Sequence, residues 1–222
     1  MTFSRAIILL SDVPVLATVI YAVCLYPRLG KSMKAFTVFL FLSAAVQLAS
    51  LLFWMAGKNN MPVLHLYVAA GLPCIFWFYQ TVLGDYIHTR IFVGTAAAFL
   101  VFTVVNSLFV QDLFRFNSYA LTVESVLIII MAIFTFIFFL DDTVKEINIP
   151  DRAGLTWINS GLFIYHLSCL LIFYFGDTII FRFSLALSRF TWIFHAFFSM
   201  VMYTFFFIGL WKRSKTPRLS AH

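Results

Sequence analysis

His195, Ser199 and Tyr203 recur every four residues along one apolar stretch, so their side chains leave a helix on a single face. An earlier stretch, 155–175, carries Asn159 and His166 seven residues apart, nearly two helical turns and again one face. Asp12, His65, Asn106 and Glu124 are each set into other apolar runs. Three kinds of chemistry suit such a set. A histidine beside a carboxylate, as His195 and Glu124 would be, forms a charge-assisted pair that can act as a proton-linked switch. Three or four converging His and carboxylate ligands would hold a metal and activate water. Polar groups gathered inside a bundle would otherwise line a wet pocket for a small ligand.

Each residue also has a plainer role. Polar side chains commonly join transmembrane helices to one another, and Asn159 with His166 fits that use. A buried histidine can be satisfied as a neutral ring by a backbone carbonyl. Glu124 lies only a few residues into its run, where it would favour the positive start of a helix.

The elements that must position these groups are membrane spans. The chain has 222 residues, of which 63% are hydrophobic and 11% charged, with 29 Phe. A soluble domain is closer to about 25% charged. Helices in lipid need apolar faces outward as well as inward, which accounts for the excess. The spacing predicts an all-α polytopic membrane protein with seven transmembrane helices, about 6–25, 35–56, 63–84, 91–110, 119–140, 155–175 and 190–210. The seven spans occupy the whole length as one domain, which leaves no room for a soluble catalytic domain and shows no cleavable leader.

Several details refine these spans. Asp12 with Pro14 predicts a local break in the first, and Gly71 with Pro73 predicts a bend in the third. Ser43, Gln47, Ser50 and Trp54 draw one polar stripe down the second. The stretch 176–188, GDTIIFRFSLALS, reads as a semi-polar connector at the interface. The Phe-rich runs read as lipid-facing and packing surface. Trp77 and Trp192 lie far enough into their spans to line a pocket, whereas Trp54, Trp157 and Trp211 mark span ends.

Lys and Arg divide unequally between the two sets of loops, ten against five. The richer set includes the tail, so the positive-inside rule puts the C-terminus in the cytoplasm and the N-terminus outside. The net charge of +6 is then a matter of orientation, and no basic face with interleaved aromatics exists to bind nucleic acid. On this orientation Asp12, His65, Asn106, Glu124 and His195 fall in the outer third of five helices, with Gln47 and His166 near the middle. Gathering them lets them share water, since each intramembrane charge costs about 3 kcal/mol. The candidate ligand-binding set is Asp12, Gln47, Trp77, Asn106, Glu124, Asn159, His166, Trp192 and His195.

Specific catalytic and cofactor signatures are missing. No HxxxH, HExxH or GxSxG occurs, Cys24, Cys74 and Cys169 are far apart, and no lysine falls inside the seventh span to hold retinal. His166 and His195 differ in depth by roughly 5–8 Å, a poor match for axial haem ligation. No cofactor is expected.

Trp157-Ile158-Asn159-Ser160-Gly161, followed by Tyr165, resembles the sixth helix of a bacterial seven-helix membrane module. Such modules precede some membrane sensor histidine kinases and also occur alone. The resemblance implies a receptor-like sensory protein of the bacterial inner membrane. Its partners would be the lipid bilayer, a small-molecule ligand and, because no kinase domain follows the seventh span here, a separate cytoplasmic signalling protein. Two other functions stay open at this point: a small-molecule or proton-coupled carrier that titrates Glu124 and His195, and a metal-dependent intramembrane hydrolase.

Overall fold

The computed structural model describes residues 3–141, 149 and 151–214, with side chains described from residue 10 onward except at 54, 213 and 214. Of the charges counted for orientation, Lys145, the tail beyond residue 214 and the side chains of Arg5 and Arg213 lie outside the described residues, as does the side chain of Trp54. All regular structure among the described residues is helical. The helices are α1 Phe3–Leu25, α2 Lys31–Met55, α3 Met61–Leu83, α4 Thr89–Val105, α5 Ser118–Leu140, α6 Arg152–Arg182 and α7 Leu185–Ser214. Seven helices are long and apolar enough to cross a membrane.

Lipid dictates their character. Every backbone group must be satisfied within its own helix, and the outward face must be as apolar as the inward one. Leu16, Ile20, Ile137 and Leu171 accordingly stand exposed on outer faces. Hydroxyl groups inside the spans bond back to the preceding turn, as Ser125 Oγ does to the Leu121 carbonyl at 2.7 Å and Thr135 Oγ1 to that of Met131 at 2.8 Å.

The packing order explains where an interior can exist. α1 packs on α2 and α7, α2 on α3, α3 on α5, α5 on α6, and α6 on α7. These six close a ring, and α4 packs on α3 from outside it. Neighbours in sequence therefore neighbour in space except at α4, which the chain loops around to reach α5.

Two expectations need correction. The first helix does not break at Asp12–Pro14: α1 runs unbroken through Pro14, and the Pro14 carbonyl accepts from Thr18 Oγ1 at 2.6 Å. The expected connector 176–188 is almost wholly helical. α6 continues to Arg182 and α7 begins at Leu185, so only Phe183 and Ser184 link them. The polar residues that suggested a connector are instead tied down. Asp177 is held by Arg115, and Ser184 Oγ accepts the Leu187 N–H as a helix N-cap. The 31 residues of α6 span about 46 Å, well beyond a hydrocarbon core of about 30 Å.

α4 ends in a π-turn, Asn106–Val110, whose wide loop closes with the Gln111 N–H donating to the Asn106 carbonyl at 2.7 Å. The α2–α3 turn passes through Gly57 at φ 65°, a left-handed position that favours glycine at the end of a helix. Opposite ends of the ring differ in filling. Around Phe36, Phe39, Phe78, Ile158 and Phe206 the interior is solid. Toward the end that carries the N-terminus and the α2–α3 and α6–α7 links, it opens.

Candidate functional site: a polar cavity inside the six-helix ring

The open end holds a cavity of about 380 Å³. Its wall takes Ser11 and Asp12 from α1, Ser43, Gln47 and Ser50 from α2, Tyr67 from α3, Leu121 from α5, Tyr165 and Phe173 from α6, and Trp192, His195, Ser199 and Tyr203 from α7. All six ring helices contribute and α4 does not. The two stripes legible in the sequence, Ser43–Gln47–Ser50 on α2 and His195–Ser199–Tyr203 on α7, both face this space.

Hydrogen bonds stitch the wall together. Gln47 Nε2 donates to Asp12 Oδ1 at 2.5 Å, joining α2 to α1. The Tyr165 hydroxyl and His195 Nε2 are bonded at 2.8 Å, joining α6 to α7. The Ser43 hydroxyl meets that of Tyr203 at 2.5 Å and that of Tyr67 at 3.5 Å, joining α2 to α7 and α3. Thr18 Oγ1 completes this floor by donating to the Tyr203 carbonyl at 3.1 Å. The imidazole of His195 also lies edge-on to Trp192, with ring centroids 5.7 Å apart.

The structure brings Asp12, Gln47, Trp192 and His195 of the candidate set into one wall. It places the others elsewhere. Glu124 is 2% exposed and sits behind Tyr67, its Oε1 only 3.3 Å from where a Cβ on Gly71 would be. It makes no hydrogen bond to His195, whose ring is taken by Tyr165, and it has no hydrogen-bond partner among the described residues. His166 is buried against α5 and bonds Ser125 Oγ through Nδ1 at 3.0 Å. Asn159 lies deeper, in the solid half. It accepts from the Tyr79 hydroxyl at 2.9 Å and donates to the Ala132 carbonyl at 3.0 Å, clamping α3, α5 and α6. Trp77 points out of the ring and is 45% exposed, on the face where lipid would lie.

Asn106 and His65 belong to a second polar cluster at the same end but outside the cavity. Asn106 Nδ2 donates to Asn117 Oδ1 at 2.9 Å and Gln111 Oε1 at 3.1 Å. His65 bonds Ser107 Oγ at 2.7 Å and the Arg115 carbonyl at 3.2 Å. Arg115 grips Asp177 with two hydrogen bonds of 3.0 and 3.2 Å and stacks over Phe181 at 4.3 Å. This cluster fastens α4 and the loop after it to α3 and α6. It closes the rim rather than lining the space.

Tyr67 and Ser11 are wall residues that the sequence reading left out. Tyr67 lies one turn before Gly71 and two residues after His65, a spacing that gave no polar stripe of its own. No group of three or more His, Cys, Asp or Glu among the described residues is placed to hold a metal ion. The depth argument had put His65, His195, Asp12 and Glu124 at one level, but the first bonds the rim and the last stands behind the wall.

No known family matches this chain, and neither a curated protein nor a solved structure is significantly similar to it.

Proposed function

We propose that this is a receptor-like sensory protein of the cell membrane, whose ligand enters the cavity from outside. The reading rests on one observation above all. A space of about 380 Å³, within the usual size of small-molecule sites, is walled by residues of six separate helices, five of which contribute polar or aromatic groups. A ligand touching all six can bias their arrangement, which is what coupling requires. Gly71 and Pro73 on α3, beside the wall residue Tyr67, are the natural bending point.

The positive-inside rule supports an external opening, because the cavity shares its end with the loops poorer in Lys and Arg. The resemblance of the sixth helix to that of bacterial sensor modules supports a bacterial inner membrane. Output would pass to a separate cytoplasmic protein through the opposite loops. The solid layer beneath the cavity counts against a carrier, which needs access from both faces. The scattering of the histidines and carboxylates counts against a metal-dependent hydrolase.

The test is labelling from outside. With Cys24, Cys74 and Cys169 replaced by alanine or serine, a single Ser199→Cys is exposed to a membrane-impermeant thiol reagent on intact cells. Rapid labelling is expected at Ser199→Cys and none at Ser160→Cys, which lies on the far half of α6. Labelling only after the membrane is opened would reverse the orientation, and no labelling under either condition would remove the pocket.

A further inference from the structure

We infer that the cavity selects a small organic cation: a protonated amine carried on an apolar or aromatic body. This rests on the reading of the cavity as a ligand pocket and adds the chemistry of what fills it.

The charge in the wall is one-sided. Asp12 contributes a carboxylate whose one hydrogen-bond donor among the described residues is the neutral amide of Gln47. Its Oδ2 has no hydrogen-bond partner among the described residues. Glu124 stands behind Tyr67, outside the wall, so Asp12 is the carboxylate that faces the space. No lysine or arginine lies in the wall among the described residues. Asp12 is half-buried on the cavity wall, where an entering cation would meet its carboxylate directly as a charge-assisted pair.

The remaining surface agrees. Tyr67, Tyr165 and Trp192 present aromatic rings, whose faces attract cations. Leu64, Phe173 and Met202 add apolar contact for the body of the molecule. The Ser43, Ser50 and Ser199 hydroxyls can accept from an ammonium group. An anion would meet Asp12 with no cationic side chain among the described wall residues to hold it, and a neutral ligand would bring Asp12 no counter-charge. The volume suits a molecule the size of an aryl-alkylamine.

The experiment compares three probes of one shape and different charge. Phenethylamine, phenethyl alcohol and phenylacetate are titrated against the full chain in nanodiscs by calorimetry, with empty nanodiscs subtracted. Phenethylamine is expected to bind at least about tenfold tighter than either of the others. Asp12→Asn should abolish that preference, and its thermal unfolding midpoint reports separately whether the variant is folded. Equal binding of all three, or a preference for phenylacetate, overturns the cation while the pocket stands. Binding of none overturns it too, and labelling of Ser199→Cys from outside then decides whether the pocket survives. If Asp12→Asn does not fold, the three-probe comparison on the unaltered chain still decides.

Discussion

The half of the bundle around Asn159 and the half around Ser43 are built from the same helices, yet one is filled and the other hollow. In the filled half, Phe36 meets Phe78 and Phe206 edge-on, the latter at 4.8 Å, with Phe39 tilted against it. There glycines let α6 and α7 touch backbone to backbone. A Cβ on Gly154 would stand 2.6 Å from the Gly209 carbonyl oxygen, and one on Gly209 2.8 Å from that of Gly154. In the hollow half the helices are held apart by tyrosines and histidine that bond across the gap. Close approach through small residues and separation through polar side chains are the two ways helices associate in lipid. A bundle that uses both has a packed base and an open chamber, the division that the proposed receptor role would use. Without the hollow half the protein would be a packed column, and without the filled half the chamber would have no floor.

The sharpest way to break the comparison is to force the filled half apart. Gly154→Leu should be the most damaging change, and Gly209→Ala the milder version of it. No flexible side chain can yield where the added carbon meets a backbone oxygen, so α6 and α7 must separate. The cost is expected near 3 kcal/mol for the leucine, read as a lowered midpoint in thermal or SDS unfolding of the purified protein. An unchanged midpoint would mean that the glycine crossing does not hold the base together.

A smaller effect should come from the polar clamp at Asn159 inside the filled half. Asn159→Leu removes the acceptor of the buried Tyr79 hydroxyl and the donor to Ala132, at about 1–2 kcal/mol. Tyr79→Phe removes the orphaned hydroxyl, so the double variant should lose less than the sum of the two singles. Strict additivity would show that the bond contributes nothing.

How far the sequence revealed this depends on which axis is asked about. Position along each helix was legible, because hydrocarbon demands a run of fixed length and because polar residues at helical spacing share a face. The seven spans, the stripe Ser43–Gln47–Ser50 and the stripe His195–Ser199–Tyr203 follow from that. Rotation of one helix against another was not legible. Nothing in the chain says that His195 turns toward Tyr165 and away from Glu124, or that Trp77 faces outward, since an isolated aromatic suits either side of a span. Long-range pairing was hidden too. Asp177 and Arg182 made 176–188 look like a connector only because Arg115, 62 residues before Asp177, was not seen to hold that carboxylate. Asn106 and His65 share the cavity's end but not its wall: Asn106 ends α4 outside the ring, and His65, though on α3, turns toward Ser107 and the Arg115 carbonyl, and depth along a helix reveals neither.

The same chemical change applied at the edge of the hollow half should do the least. Gly71→Ala adds the carbon that Gly209→Ala adds, but here it meets only the ends of side chains. Its nearest neighbours would be Glu124 Oε1 at 3.3 Å and Tyr67 Cε2 at 3.7 Å. The first is tight by a few tenths of an ångström, and a carboxyl on a flexible stem can yield that much. Against it stands the gain in helix propensity from glycine to alanine, up to about 1 kcal/mol. The two nearly cancel, so the unfolding midpoint should move little in either direction. What should change is position: Glu124 and Tyr67 shift together, and Tyr67 is in the cavity wall. A near-neutral stability with an altered affinity for the amine probe would separate chamber from base in one residue. A loss as large as that of Gly209→Ala would instead show that α3 is packed as rigidly as the α6–α7 crossing.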